Sequence, residues 1–504
     1  MSTKKKSLDL YLAEVFKQFI SIKDEDFKKS QEVFKSVFEQ VKQKMGEQCN
    51  YFKKYSSQIM YAGSVSDGIK VSRMDEFDMD IVIRLPINYG DIILENEQPG
   101  FVKMKITNAF DYLDKQPDWE KCHKVTREWR DSEKYFLQNK FRQWMHGIVQ
   151  KALNAMDMKV TVNGDVYLLT YKESGPAYTL NIRNDDGNEK YSLDVDLVPV
   201  IKFMYPRAPD GYREIEGGQA KDWLVVPKPN KALNDNTLKN RCWRLSFQDQ
   251  ERELIKDCKA LKMTIRLVKK LRDALDMKAI ASYYIKSIFL KKVYDMKDKT
   301  YWQNKVSFLF KSMVEELYLA LTQKEIPFFW NCEHNLIGGI KPTLQKVYVD
   351  KLKDVLVSLY ANDVEKVVVF LLTPAELKEF KNSEFYQKQL EATPIITPNS
   401  FLECSAENSL SDQLRMATSE LDSLREKHET DTKFKELEVK VNRLETRVSL
   451  LEEKLMVLEM KDRQVQGIVC STSSIRLDDS PSHSRGMTYE AAKKIKVQYD
   501  YVCE

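Results

Sequence analysis

Acidic residues in one short segment alternate with apolar residues in a way that could build a metal site. In EFDMDIVIRL, an extended backbone would place Glu76, Asp78 and Asp80 on one face and apolar residues on the other. Carboxylates gathered on one face repel each other unless water or a divalent cation lies between them. Mg²⁺ prefers such hard oxygen ligands, and Mn²⁺ accepts the same set, so the segment predicts a site for one of these ions.

A glycine-serine pair and a second acidic strand complete the pattern. Gly63 and Ser64 precede Glu76, with twelve positions from the serine to the acid. Glycine lets a backbone approach a ligand closely, so a turn here could present N–H groups and a hydroxyl to phosphate oxygens. A two-metal mechanism needs a further carboxylate on a neighbouring strand, and YSLDVDLVPV offers Asp194 and Asp196. Each motif alone is weak, but the combination predicts a nucleoside triphosphate site.

Composition places the chain among ordinary folded proteins. Its 504 residues are 42% apolar and 31% charged, enough to bury two or three cores. The longest apolar run, VVVFLL at 367–372, is far shorter than the roughly 20 residues of a membrane span. The N-terminal residues lack the apolar stretch of a secretion signal, and the eight cysteines are scattered as in a reduced protein. We therefore expect a cytoplasmic protein with no membrane partner.

Four regions with different patterns of apolar and polar residues follow one another along the chain. Helical periodicity comes first, strand-like alternation with one helical piece follows, and helical periodicity then returns before a Pro/Thr/Ser-bearing linker. The expected divisions are N-terminal helices at 1–58, an α/β palm at 59–205, a helical lobe at 206–385, a linker at 386–408, a coiled coil at 409–465 and a disordered tail at 466–504.

The coiled coil is predicted from a regular apolar seam. The seam residues alternate by three and four: Phe434, Leu437, Val441, Leu444, Val448, Leu451, Leu455 and Leu458. Such a seam predicts self-association or binding of a partner helix.

Positive charge is concentrated in one part of a chain whose net charge is only +4. Residues 221–300 contain 20 Lys and Arg against 10 Asp and Glu. Such an excess is typical of a surface that binds a polyanion. A solvated, lysine-rich helical surface explains the same composition, and both interpretations stay open at this point.

The motifs together resemble a known family. The pair at 63–64, Glu-Phe-Asp at 76–78 and Asp-Leu-Val-Pro at 196–199 look like the active site of cyclic GMP-AMP synthase and its animal relatives, the cGAS-like receptors. These belong to the nucleotidyltransferase superfamily. WRLSF at 243–247, SYYIKS at 282–287 and PFFWNCEHNLI at 327–337 appear in the family's order, and the resemblance covers about residues 1–385.

The resemblance implies an α+β, bilobal nucleotidyltransferase fold, with a mixed-sheet palm and a helical lobe, followed here by the C-terminal coiled coil. It implies a synthase that joins ATP and GTP into a cyclic dinucleotide, with either 2′-5′ or 3′-5′ linkages. Glu76, Asp78 and Asp196 would be the catalytic acids and the ligands of two Mg²⁺ ions. The positions implied to contact nucleotides are Gly63, Ser64, Arg244, Ser246, Glu251, Lys262, Ser282 and Tyr283.

Two departures from the vertebrate enzyme affect the expected activator. Only QDQERELI separates WRLSF from KDC, where that enzyme inserts a zinc-binding thumb used on long DNA. Relatives without the thumb include sensors of double-stranded RNA, so we expect this RNA as the activator in antiviral innate immunity. The coiled coil is the second departure. The alternatives are synthesis of linear oligonucleotides, and a non-catalytic scaffold of the same fold, which commonly loses the carboxylates.

Overall fold

The computed structural model describes residues 7–391, apart from 97–98, 175–176, 185–190, 216 and 231. These residues belong to one compact unit, Met1–Ile395. The predicted coiled coil, the predicted tail and most of the linker lie outside the described residues. Within the described part, none of the helices combines the length and the apolar character needed to cross a bilayer.

Three helices open the chain: α1 Leu8–Val15, which continues through a wider turn to Ile20, α2 Asp24–Gln48 and α3 Asn50–Tyr55. Acidic residues occupy the first turn of α2, where they complement the positive end of the helix dipole. The face of α2 that packs on the core follows a spacing of three and four: Val33, Phe34, Val37, Phe38, Val41 and Met45. The region expected to form the N-terminal helices is thus mainly helical from residue 8 to residue 55.

Within the described ranges, ten strands form the main sheet. They are β1 Ser56–Ala62, β2 Glu76–Ile83, β3 Ile92–Glu95, β4 Phe101–Ile106, β5 Lys159–Val162, β6 Asp165–Ser174, β7 Ala177–Asn184, β8 Tyr191–Phe203, β9 Trp223–Val226 and β10 Cys242–Ser246. The helices between them are α4 Gly63–Ser66, α5 Asn108–Asp111, α6 Gln138–Asn154 and α7 Asn236–Arg241. The two acidic segments that were expected to be strands are β2 and β8 of this sheet, and the combination of helices and sheet confirms an α+β fold.

The strand order places the two acidic strands side by side. The main path is β3-β4-β10-β9-β8-β7-β6-β5, and β2 pairs with both β1 and β8. Only the β2–β8 pair is parallel among the described strands; the other pairs are antiparallel, so the sheet is mixed. The long β8 pairs with β2 and β7 over most of its length and with β9 at its end.

The sheet continues past residue 205, where only helices and connections were expected. Two short strands, β9 and β10, each carry a buried tryptophan that binds them to the core. The Trp223 ring stacks on Phe203 at 4.4 Å, and the Trp243 ring stacks on Phe136 at 4.9 Å. The four residues of β9, WLVV, are all apolar and show no alternation, so the sequence pattern alone does not distinguish this strand from a buried helical segment.

The remaining chain is mainly helical. It contains α8 Gln248–Leu254, α9 Lys259–Ala274, α10 Ser282–Met296, α11 Val306–Thr322, the small hairpin β11 Pro327–Phe328 with β12 Asn331–Asn335, α12 Pro342–Tyr360, α13 Val364–Leu371, α14 Pro374–Asn382 and α15 Glu384–Glu391. We call the helices α8 to α15 the helical lobe. Apolar residues of this lobe and of the sheet form one continuous core, which holds the two against each other.

Candidate active site

Three carboxylates meet where β2 lies beside β8. The parallel register pairs Asp78 with Asp196, and Glu76 stands two residues earlier on the same face of β2. One carboxylate oxygen from each of the three residues lies within 4.8 Å of the other two. An oxygen cluster of this size and charge fits Mg²⁺ or Mn²⁺. The acids that the sequence singled out are thus brought together.

Because the three carboxylates are crowded together and partly buried, a positive charge among them would be stabilising. Burial, followed by the charges of Glu76 and Asp196, raises the pKa of Asp78 to about 6. Burial also raises the pKa of Asp196, although the hydroxyl of Thr179 donates to its carboxylate and partly opposes this. Lys70 places its Nζ 2.9 Å from Glu76 Oε2. A cation bound among the three acids would relieve the repulsion that raises these pKa values.

Two further acids on the same strands have different surroundings. Asp194 accepts a hydrogen bond of 2.7 Å from the Asn181 amide and lies opposite Glu76 in the register. Asp80 is buried, and burial together with the nearby Asp78 charge raises its pKa to about 7. Neither is among the three acids whose oxygens converge. Alternation put Asp80 on the expected face, but it lies deeper in the protein than Glu76.

The glycine-serine turn is in direct contact with the acid cluster. Gly63 opens the short α4 turn with φ of +66°, a conformation that favours glycine. A Cβ atom on Gly63 would lie 1.6 Å from Asp78 Oδ2, so no other residue fits without moving that carboxylate. Ser64 therefore follows immediately after a residue that touches the cluster. Its backbone oxygen accepts from Ile69 N at 2.9 Å, which closes the turn.

Glu251 and Tyr283 form a second group, at the start of the helical lobe. The Tyr283 hydroxyl donates to Glu251 Oε1 at 2.7 Å, and the Trp330 indole N–H donates to the same oxygen at 2.8 Å. Lys286 Nζ lies 2.7 Å from Glu251 Oε2. Burial alone would raise the pKa of Glu251, but the Lys286 charge and these hydrogen bonds hold it below its usual value. Anchoring of the hydroxyl fixes the Tyr283 ring, as a stacking platform requires.

The other expected nucleotide contacts come from β10, α9 and α10. Arg244 and Ser246 lie on β10, and the Arg244 guanidinium covers the Phe328 ring at 4.8 Å. Lys262 on α9 brings its Nζ to 3.5 Å from where a Cβ on Gly68 would be, so it borders the segment that follows the α4 turn. Ser282 opens α10, and its hydroxyl accepts from Arg272 at 2.9 Å.

Sequence reasoning missed three residues that shape the site. Thr179 stands opposite Asp196 in the β7–β8 register and could have been found from the alternation of AYTLNI. Lys70 follows the Gly-Ser pair by six positions and gives no signal by itself. Lys286 is an apparently ordinary helical lysine, and only the tertiary structure shows that it is buried beside Glu251.

Comparison with known proteins agrees with this geometry. The protein-family model described as Mab-21 protein nucleotidyltransferase domain matches residues 65–257. A second family model, the Mab-21 protein HhH/H2TH-like domain, matches residues 260–354. The chain is 33% identical over 403 residues to a cyclic GMP-AMP synthase-like receptor of Ctenocephalides felis, covering 75% of this chain and 90% of that one. A receptor of the same name from Aethina tumida is 33% identical over 383 residues, covering 74% and 93%. A third, from Tribolium castaneum, is 30% identical over 402 residues, covering 78% and 98%.

The fold and the matching family model define the chain as a nucleotidyltransferase. Three acids converge on its mixed sheet beside a glycine-serine turn, and a helical lobe follows the sheet. The extent of the similarity identifies the group within that class. The chain belongs to the cyclic GMP-AMP synthase-like receptors.

Proposed function

We propose that this protein makes a cyclic dinucleotide from ATP and GTP when a nucleic acid binds to it. The observation that carries the proposal is the convergence of Glu76, Asp78 and Asp196 within 4.8 Å beside the α4 turn. A scaffold without catalysis has no need for such a costly cluster of like charges. The relatives are named synthase-like receptors, which supports a role for this chain as a receptor, and we propose that it acts in innate immunity.

Glu76, Asp78 and Asp196 would hold two Mg²⁺ ions, or Mn²⁺ in their place. Ions bound there would favour deprotonation of the attacking ribose hydroxyl and neutralise charge on the departing pyrophosphate. The α4 turn would bring the Ser64 hydroxyl and backbone N–H groups to the triphosphate. Thr179, by donating to Asp196, keeps that carboxylate oriented toward the cluster.

The helical lobe and β10 would select and hold the bases. Tyr283 offers a ring face for stacking, with Ser282 beside it on α10. Arg244 and Ser246 on β10 offer donors to phosphate or base edges, and Lys262 offers a single positive charge near the α4 turn. After the first phosphodiester bond has formed, the linear dinucleotide would rebind with its other end toward the acids and close into a ring.

Double-stranded RNA is the activator that we propose. The positive excess in residues 221–300 supports a phosphate-binding surface, although Lys269, Lys270 and Lys286 of that region are buried and serve the fold. Exposed lysines of the same region, such as Lys256 and Lys259, remain for phosphate contacts. The predicted coiled coil would add self-association or a partner helix.

One experiment tests the reaction and its activator together. The purified chain is incubated with all four labelled nucleoside triphosphates and Mg²⁺ or Mn²⁺, alone, with double-stranded RNA and with DNA, and the products are separated by chromatography. We expect a phosphatase-resistant cyclic product that needs ATP, GTP and the RNA. Linear oligonucleotides, or no product under any condition, would contradict the proposal.

A further inference from the structure

Asp67 ends the α4 turn and is held by two cations from the helical lobe. Its side chain is buried, with 6% of its surface exposed. Asp67 Oδ2 lies 2.6 Å from Lys286 Nζ on α10, and Asp67 Oδ1 forms a longer ion pair of 3.5 Å with Arg252 Nε on α8. The turn that touches the acid cluster is therefore tied to elements about two hundred residues further along the chain.

Each of the two cations connects Asp67 to another part of the site. Lys286 is shared between Asp67 and Glu251, at 2.6 and 2.7 Å, so the turn and the Tyr283 anchor depend on one ammonium group. Arg252 also donates to the backbone oxygen of Tyr61, at 3.1 Å, just before the turn begins. Both ends of the turn are thus fixed to the helical lobe.

Backbone hydrogen bonds close the turn, with Ile69 N donating to Ser64 O at 2.9 Å, but its glycines and its side chains fix it only weakly to the rest of the protein. Two glycines with positive φ, Gly63 at +66° and Gly68 at +72°, bracket it, and glycine leaves the backbone free to adopt other conformations. No residue of α4 is buried. Buried ion pairs cost desolvation and are often dispensable for stability, so a buried pair at this place calls for a reason other than stability.

We propose that Asp67 is a positioning residue, which latches the α4 turn onto Lys286 and Arg252 so that Gly63 and Ser64 stay in register with Asp78. Its catalytic consequence rests on the proposed function. Because Lys286 also holds Glu251, which in turn anchors Tyr283, the latch couples the pose of the turn to the place where a base would stack. Loss of the latch lets the turn take poses in which the reacting groups are misaligned.

The test compares Asp67→Asn with a matched control on another buried pair. Asparagine keeps the shape but removes the negative charge that pairs with Lys286 and Arg252, which keep Glu251 and Asp249 as their other partners. Glu376→Gln removes the partner of the buried Lys270, and that ion pair joins α9 to α14 without contacting Asp67, Lys286 or Arg252. We expect both variants to lower the melting temperature. Only Asp67→Asn should lower kcat, by about 10- to 100-fold, because a misplacement of about 1 Å has such an effect, while KM for the nucleotides changes less.

Coupling between the two residues is read from the double variant. If Asp67 acts through Lys286, Asp67→Asn combined with Lys286→Met should lower kcat no further than the worse single variant. Two independent losses that multiply would overturn the latch as the route of action.

Hydrogen exchange of the full chain tests the latch without any turnover. Amides of residues 63–69 should exchange at least about tenfold faster in Asp67→Asn than in the wild type, and at the wild-type rate in Glu376→Gln. A wild-type chain that makes no product refutes the proposed function, and the exchange experiment still decides the latch. Unchanged exchange overturns the latch, and faster exchange with kcat within twofold of the wild type overturns its role in positioning.

Discussion

Asp194 and Asp196 share one face of β8, and their different partners give the sharpest test of the metal ligands. We expect Asp196→Asn to lower dinucleotide formation by about two orders of magnitude or more, because the amide removes a negative oxygen that the ion needs. Asp194→Asn should lower it only modestly, since Asp194 is engaged with Asn181 and lies outside the converging set. Chromatography of the products checks both.

Stability separates a metal ligand from a structural acid. Without metal, Asp196→Asn should melt at the wild-type temperature or above it, because one of several crowded charges has been removed. A drop in melting temperature with activity retained would mean that Asp196 is structural. Complete loss only in Asp194→Asn would mean that the third ligand is the other aspartate.

At the scale of elements, the α4 turn depends on a glycine that no other residue replaces. Gly63→Ala would place a methyl group 1.6 Å from Asp78 Oδ2, in addition to about 1–2 kcal/mol of strain at positive φ. We expect it to abolish dinucleotide synthesis. Gly164→Ala is the matched control, since Gly164 also has positive φ, +94°, but has no atoms within 4 Å of the added group. It should lose stability in chemical denaturation and keep its activity.

The same elements show how far the sequence can predict this protein. Alternation in EFDMDIVIRL and YSLDVDLVPV predicted both acidic strands, because their apolar residues fill one face and leave the acids on the other. The parallel pairing that aligns Asp78 with Asp196 arises only in the tertiary structure, and so does the burial of Lys286. Local patterns do not report contacts between residues that are distant in the chain.

Helix α9 offers a prediction about pH. Lys269 is buried and donates to the backbone oxygen of Ile69 at 2.8 Å. Burial, together with the charges of Arg272 and Lys70, lowers its pKa to about 8. Between pH 8 and about 10.4, the ordinary pKa of lysine, the unfolded chain therefore binds a proton that the folded chain does not. The free energy of unfolding contributed by this residue should rise with pH across that window.

Comparison with Lys269→Met isolates this contribution from other groups that titrate there. Urea denaturation at pH 7.5 and pH 9.5 should show the wild type gaining stability relative to Lys269→Met as the pH rises. The difference between the two proteins would be equal at both pH values if the lysine were solvated in the folded state.

On the scale of the whole molecule, the residues that the structure describes end at 391 and contain a core of their own and all the site residues. We expect deletion from about residue 400 to reduce the particle size in solution, because the apolar seam would be lost. Nucleotide chemistry should continue, since the seam offers no catalytic side chains. Light scattering and product analysis of the truncated chain check both parts, and loss of basal synthesis in a folded truncation would contradict the prediction.

The net charge of the molecule is small, so the RNA binding that we propose would depend on local clusters of exposed lysines. Each phosphate contact releases counterions, so the affinity for double-stranded RNA should fall steeply with salt, by about 10³ or more between 50 and 200 mM if six contacts form. Lys256→Ala and Lys259→Ala, at exposed positions, should each reduce the logarithmic salt slope by about 1.

Lys292→Ala is the matched control, because Lys292 is half-buried and already paired with Glu316 at 2.6 Å. Binding titrations at several salt concentrations measure the slopes, and equal slopes for all three variants and the wild type would show that the RNA contacts another surface.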